Sequence, residues 1–294
     1  MPKDTSNVSY TLARADDGTI QITFNIPNRA IKKAKDAALK ELGKSVEVAG
    51  FRKGKAPLKE VEKKVSQSTI INHALKNLLP RALVKAITEE KLKLAIYPRF
   101  ELISAKDGED WQVRATTCTL PDIDLGDYKK AISGASRARA IWTPDKKEDA
   151  RGQSLPREEK EQEVIKILLD TVKVSVPKIL IDEEVNSRLA SLLEKIEKLG
   201  LTLESYLGSI GKTAEDLRRD YEIQAKNAIA LNLILNKIVE VENIDINESE
   251  IDSAIQAAGA DPKTAEKLNS PSQRQLIKAI LARRAALDSL SSLL

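Results

Sequence analysis

Apolar and polar residues alternate twice near the start of the chain, first at Val8, Tyr10 and Leu12, then at Ile20, Ile22, Phe24 and Ile26. A period of two marks half-buried strands, and Asp16-Asp17-Gly18 between the runs supplies a turn, so the pattern predicts a hairpin. Pro27 ends the second run and Asn28 is placed to cap a helix reaching about Leu42, with Ile31, Ala34, Ala38 and Leu42 on one stripe. A short helix should start at Pro57 and a longer one run from about Ser66 through Leu83 to Ile87. Pro80 removes a backbone donor and is expected to kink or split that helix. Phe100 and Leu102, a turn at Asp107-Gly108, and the alternating Trp111, Val113 and Ala115 predict a second hairpin. Two hairpins flanking a helical block pair into one small antiparallel sheet covered by helices, which makes the amino-terminal domain α+β.

Beyond residue 125 the pattern changes. The stretch GASRARAIWTPDKKEDARGQSLPREEKEQ has only Ile141 and Trp142 as sizeable apolar residues before Leu155, so residues 126–160 read as a linker that does not fold alone. From about Arg157 the chain reads as helical to its end. Val164, Ile165, Leu168, Leu169 and Val172 form one stripe; Val185, Leu189, Leu192 and Ile196 form the next, ending at Gly200. The longest helix starts near Thr213 and carries Leu217, Tyr221, Ala225, Ala228, Leu231, Leu235 and Ile238. Asp261-Pro262 and Ser270-Pro271 each offer a cap followed by proline at the first helical position, with Leu276, Ile280, Leu287, Leu290 and Leu294 lining the last helix. The expected organisation is therefore an α+β domain over 1–125, a linker over 126–160 and an all-α arm domain over 161–294, mainly helical overall.

Composition narrows the chemistry. Ten aromatics in 294 residues are too few for a large all-β enzyme or for a platform that stacks single-stranded bases. One His and one Cys exclude most metal sites, His-based triads and an internal disulfide framework. His73 reads as a surface or satisfied residue and Cys118 as an inert strand thiol. The acidic run Glu158-Glu159-Lys160-Glu161 reads as a solvated helix start. No export signal is legible at the amino terminus, and the longest apolar stretch, residues 228–235, is far short of the ~20 residues that span a bilayer, so a cytoplasmic protein without a membrane partner is expected. Charge is uneven: residues 1–121 hold 22 Lys+Arg against 14 Asp+Glu, a net of +8, whereas residues 122–294 hold 26 against 30, a net of −4. A basic half suits phosphate or an acidic partner, although two solvated surfaces would give the same arithmetic.

One segment concentrates these signals: Gly50-Phe51-Arg52-Lys53-Gly54-Lys55-Ala56-Pro57. Two glycines four residues apart permit a protruding turn, and Pro57 holds Ala56 extended and can start the helix that follows. The turn would display Phe51, Arg52 and Lys53, an aromatic to fill an apolar pocket beside two cations to meet phosphate or carboxylate. The segment from Arg29 to Lys64 carries 12 basic and 5 acidic side chains. From the residues alone, a solvated basic loop whose Phe packs back onto its own domain stands beside a binding loop.

GFRKGKAP resembles the signature of the trigger factor family of ribosome-associated chaperones, and the order of elements over residues 7–125 resembles that family's ribosome-binding domain. Val174–Val185, with Val176-Pro177 before Leu180-Ile181, is similar to a recurrent helix junction of the family, and Thr213–Ile255 to its carboxy-terminal arms. Family members usually carry an isomerase domain of the FK506-binding type between these parts; here about 35 polar residues stand in its place, with only Tyr128 and Trp142 as aromatics, so a form without that domain and without its activity is implied. The resemblance implies that Gly50, Phe51, Arg52, Lys53, Gly54, Lys55 and Pro57 bind the large ribosomal subunit, meeting a ribosomal protein and rRNA at the tunnel exit. It implies that the helical part shields hydrophobic segments of nascent polypeptides without ATP, and self-association off the ribosome is a further expected partner state. No GxxxxGK[ST] motif is present, and no cofactor, nucleotide or metal is implied. Tyr206, Leu207 and Ile210, between the breaks at Gly200 and Gly211, are the candidate client-binding residues. Two other functions remain in view: a peptidyl-prolyl isomerase-type folding enzyme, and a basic RNA-binding adaptor without chaperone activity.

Overall fold

The computed structural model describes residues 8–106, 108–141, 156–258 and 268–294, with only the backbone described for 136–141. The chain divides into two compact units at Leu120/Pro121. Trp142 and the helix expected at Asp261-Pro262 lie outside the described residues, as does Asp107 of the expected Asp107-Gly108 turn.

The first unit is a four-stranded antiparallel sheet in the order β1-β2-β4-β3, with β1 at Ser9–Arg14, β2 at Thr19–Ile26, β3 at Arg99–Ser104 and β4 at Trp111–Cys118. The first hairpin turns where expected: Gly18 takes φ +85°, and the Thr19 backbone N–H and hydroxyl both donate to the Asp17 carboxylate at 2.9 Å. Alternation puts Ile20, Ile22, Phe24 and Ile26 of β2 and Trp111, Val113 and Ala115 of β4 on one face. Helix α1 (Asn28–Ser45) contributes Ile31 to the same core, and α3 (Gln67–Glu89) contributes Leu75, Leu79, Ala82, Leu83 and Ala86. The short α2 (Leu58–Lys64) packs against α1.

Two local expectations change. Asn28 is the first helical residue, not the cap: its N–H donates to Asp110 Oδ1 at 2.9 Å and its side-chain amide to the Gly108 carbonyl at 2.7 Å. The orphan amide at the helix start is satisfied from the start of β4, next to Ile26 in the sheet, by a partner 82 residues away in sequence. Helix α3 is not split at Pro80 but runs unbroken from the Ser66 cap, whose hydroxyl accepts from the Thr69 N–H. Pro80 lies on the exposed face, where water can satisfy the carbonyl left without a donor.

The second unit is helical: α4 (Tyr128–Ile141), α5 (Arg157–Thr171), α6 (Lys178–Lys198), α7 (Leu203–Ile210), α8 (Ala214–Val241), α9 (Glu248–Ala258) and α10 (Pro271–Ser291). Leu125, Tyr128 and Ile132 join Val164, Leu168 and Val172 of α5, Ile234, Leu235 and Ile238 of α8, and Ala286 and Leu290 of α10 in one core. Helix α4 falls inside the segment 126–160 expected as linker. Tyr128 and Ile132 stand one turn apart and supply the buried pair that holds α4 to the core. The amino-terminal part of α8 leaves this core and packs along α6, and α9 packs on the amino-terminal part of α10 through Ile251, Ile255 and Ala282. Leu276 and Ile280, expected to line α10 internally, are exposed. They continue the stripe of Leu287 and Leu294, but α5 and α8 cover only its carboxy-terminal half.

Helix α4 is fixed at one end by charge. Glu242 Oε1, just past α8, accepts from the Tyr128 hydroxyl at 2.8 Å and pairs with Lys129 Nζ at 2.6 Å. Lys129, and after it Tyr128, hold the Glu242 carboxyl below its ordinary range, while desolvation and then the Glu242 contact push the Tyr128 phenol up to about 12. A lowered carboxyl stabilises above its unfolded pKa and loses that contribution as pH falls through the folded value. A raised phenol stabilises below its ordinary value of 10.0 and loses that contribution as pH rises toward about 12. Amide-exchange protection of α4, referenced to α5, is therefore expected to weaken from pH 6 to pH 3. In Glu242→Gln it should be weak already at pH 6 and change little on acidification; equal protection in both proteins at pH 6 would contradict this.

Candidate functional site

The loop between α1 and α2 is anchored at its ends and free at its centre. Below it, Leu39 and Leu42 of α1, Val61 of α2 and Ile70 of α3 form a small cluster, onto which Val48 and Ala56 pack from either end of the loop. Gly43 lets α2 come close, since a Cβ there would lie 3.3 Å from Val61 Cγ2. Between Val48 and Ala56 the chain makes two successive turns. The Phe51 N–H donates to the Val48 carbonyl at 3.1 Å, and the Lys55 N–H to the Arg52 carbonyl at 2.9 Å. Gly50 and Gly54 occupy the third position of each turn at φ +83° and +81°, the left-handed conformation that favours glycine there. Phe51 and Arg52 sit at the junction of the two turns.

Phe51 is 45% exposed and belongs to no apolar cluster, so it does not pack back onto its own unit. Arg52, Lys53 and Lys55 are exposed and take part in no ion pair among the described residues. The structure thus brings Gly50, Phe51, Arg52, Lys53, Gly54 and Lys55 into one projecting feature, with the exposed Pro57 at its exit as the residue before α2. Such a feature can insert an aromatic into an apolar pocket while its cations meet anions, and it carries no group suited to covalent or acid–base work. His73 is half-buried in α3, and Cys118 is buried and forms no disulfide. No cluster of metal-ligating side chains occurs among the described residues, nor does any helix long and apolar enough to cross a membrane.

The second candidate lies on α7. Thr202 caps it, accepting from the Ser205 N–H at 3.2 Å, and Gly211 ends it at φ +63°. Leu203, Tyr206, Leu207 and Ile210 recur at helical spacing, yet the helix buries no residue: Tyr206 and Leu207 are half-buried and Ile210 is exposed. Leu193, Leu199 and Leu201 are exposed as well, Leu199 at 74%. Their exposure, like that of Leu276 and Ile280 of α10, is not legible in the sequence, because an apolar pattern does not say whether anything covers it.

Comparison with known proteins agrees across both units. The family model described as bacterial trigger factor protein matches residues 8–139, and the model of the trigger factor carboxy terminus matches residues 148–292. The eight residues between the matches are far too few for a domain of ~100 residues. The trigger factor of Streptococcus agalactiae serotype Ia is 36% identical over 108 residues, 37% of this chain and 25% of its own. That of Streptococcus pyogenes serotype M5 is 32% identical over 124 residues, 42% of this chain and 29% of its own. The matches thus span between a quarter and a third of these relatives. A solved trigger factor chaperone structure, described for promiscuous substrate recognition in folding and assembly activities, shares the fold at TM-score 0.63 and 12% identity, covering 97% of this chain and 99% of that one. With both of its units matched in order by models of one family, the chain belongs to the trigger factor family.

Proposed function

We propose that this protein is an ATP-independent chaperone that docks at the nascent-chain exit of the large ribosomal subunit and shields emerging hydrophobic segments. The observation that carries the reading is the display of Phe51 and Arg52 between two glycine turns, with the apolar residue left in solvent instead of in the core beside it. Phe51 enters an apolar cleft of a ribosomal protein, while Arg52, Lys53 and Lys55 neutralise rRNA phosphate. The amino-terminal unit is the docking domain and the helical unit the client-holding domain. Tyr206, Leu207 and Ile210 on α7 contact clients, and covering a client's apolar surface disfavours aggregation by mass action without chemistry. The protein is not an enzyme in this reading, needs no cofactor and works in the cytoplasm, with self-association through the same apolar surface when off the ribosome.

Co-sedimentation with purified bacterial ribosomes tests the docking. Wild type should pellet with ribosomes, less so as salt rises, and the triple variant Phe51→Ala, Arg52→Ala, Lys53→Ala should stay in the supernatant. Equal pelleting of the two would overturn the loop's role.

A further inference from the structure

Helix α9 with its lead-in and the first half of α10 carry opposite charge. Residues 243–258 hold four acids, Asp245, Glu248, Glu250 and Asp252, and no Lys or Arg; residues 271–284 hold four cations and no acid. The two segments meet through three ion pairs. Arg274 pairs with Glu248 and, at 2.7 Å, with Asp252, which stand one turn apart on α9. Lys278, one turn on from Arg274, pairs with Asp245 at 2.7 Å. Alongside this clasp, Ile246, Ile251 and Ile255 are buried against Val239 of α8 and Ile277, Leu281, Ala282 and Ala285 of α10.

The way α9 is held makes it separable from the rest of its unit. Its isoleucines form a cluster of their own, which touches the core joining α4, α5, α8 and α10 only at Val239. At 11 residues α9 is shorter than the ~12–15 that an isolated helix needs in water, so it stays helical only while seated. Asp245, Glu248 and Asp252 are exposed, so dissolved ions screen their pairs, and an exposed pair contributes little singly. The seat therefore rests on three isoleucines and a clasp that salt weakens.

Without α9, α10 would present the apolar row Ile277 and Leu281 beside the cations Arg274 and Lys278. Leu276 and Ile280, one position before each member of that row, are exposed already. Such a surface fits an amphipathic helix with apolar residues four apart and acids beside them, as in Ile251 with Ile255 and Glu248 with Asp252. A basic helix would set like charges against Arg274 and Lys278.

We propose that α9 is a resident lid on a basic-rimmed apolar groove of α10, and that an acidic amphipathic segment of another protein takes its place when the clasp opens. This groove is separate from the client surface assigned to α7, and the inference stands whether or not the protein docks on ribosomes.

The test uses the full chain and the variant Asp245→Asn, Glu248→Gln, Asp252→Asn, which removes the acids of the lid and leaves the groove intact. Amide exchange of α9 is followed from about 0.05 to 0.5 M salt, a range that shortens electrostatic reach severalfold, with α5 and α8 as the check on folding. The binding probe is a labelled peptide of residues 243–258, beside a version with its four acids replaced by Lys. At low salt α9 should exchange about tenfold faster in the variant, the combined effect of three exposed pairs. Wild type should approach the variant as salt rises, while the variant changes little. Apparent affinity scales with the open fraction, so at low salt the peptide should bind the variant about tenfold more tightly than wild type. The lysine version should bind neither. Equal α9 exchange in the two proteins, or exchange in wild type that ignores salt, overturns the clasp; the wild-type series needs no substitution. Equal peptide affinity for the two proteins, or no binding to either, overturns the groove as a docking site. Equal binding of the lysine version would make the groove an unselective apolar surface and overturns the acidic partner.

Discussion

The triple substitution of Phe51, Arg52 and Lys53 by Ala is expected to weaken ribosome binding about 100-fold or more, with no loss of folded structure. Truncating one central aromatic anchor costs about 2 kcal/mol in a well-packed interface, and removing two adjacent cations adds to it, so a total near 3 kcal/mol corresponds to the stated factor. Stability is untouched because the three side chains are exposed; the loop is held by Val48 and Ala56 over the cluster around Val61. The single changes divide the effect. Phe51→Ala should lose affinity almost independently of salt, whereas Arg52→Ala with Lys53→Ala should lose most at low salt, where phosphate contacts are strongest. Equilibrium titration of labelled protein against ribosomes at two salt concentrations reads both.

Trp111→Ala is expected to destabilise the amino-terminal unit by about 4 kcal/mol, a large share of the usual stability of a domain. Trp111 is the largest fully buried side chain among the described residues, opening β4 opposite Ile26 with Lys35 Nζ 5.2 Å from its ring centroid. Its loss leaves a cavity between sheet and helices that neither can close without moving the other. Because the chain has two units, a single melting curve would mix them. Amide exchange of β2 and β4 reports this unit alone and should lose roughly a thousandfold in protection, while α5 and α8 stay unchanged. Trp111→Phe should lose much less.

The strands and most helices were legible because one buried face imposes its period on the sequence, as in Ile20-Ile22-Phe24-Ile26 and in Ile31-Ala34-Ala38-Leu42. What escaped depends on residues distant in the chain. The cap on α1 comes from Asp110, and nothing near Asn28 announces it. Helix α4 folds because Tyr128 and Ile132 find α5, α8 and α10, whereas composition around Gly134 argues for a linker. Leu276 and Leu294 share one stripe, but only the second has helices to cover it. The site follows the same rule. Glycines at positions that require positive φ expose the loop directly in the sequence.

The most direct test of a chaperone docked through the loop is cell-free translation of an aggregation-prone client in the presence of wild type or the loop triple variant, followed by the soluble fraction of the product. Both proteins should suppress aggregation of the same client diluted from denaturant, since the helical unit is intact in each. During translation, at a concentration well below that of the bulk assay, wild type should keep the client soluble and the variant should not. Equal solubility with the two proteins, or aggregation with both, would contradict the account.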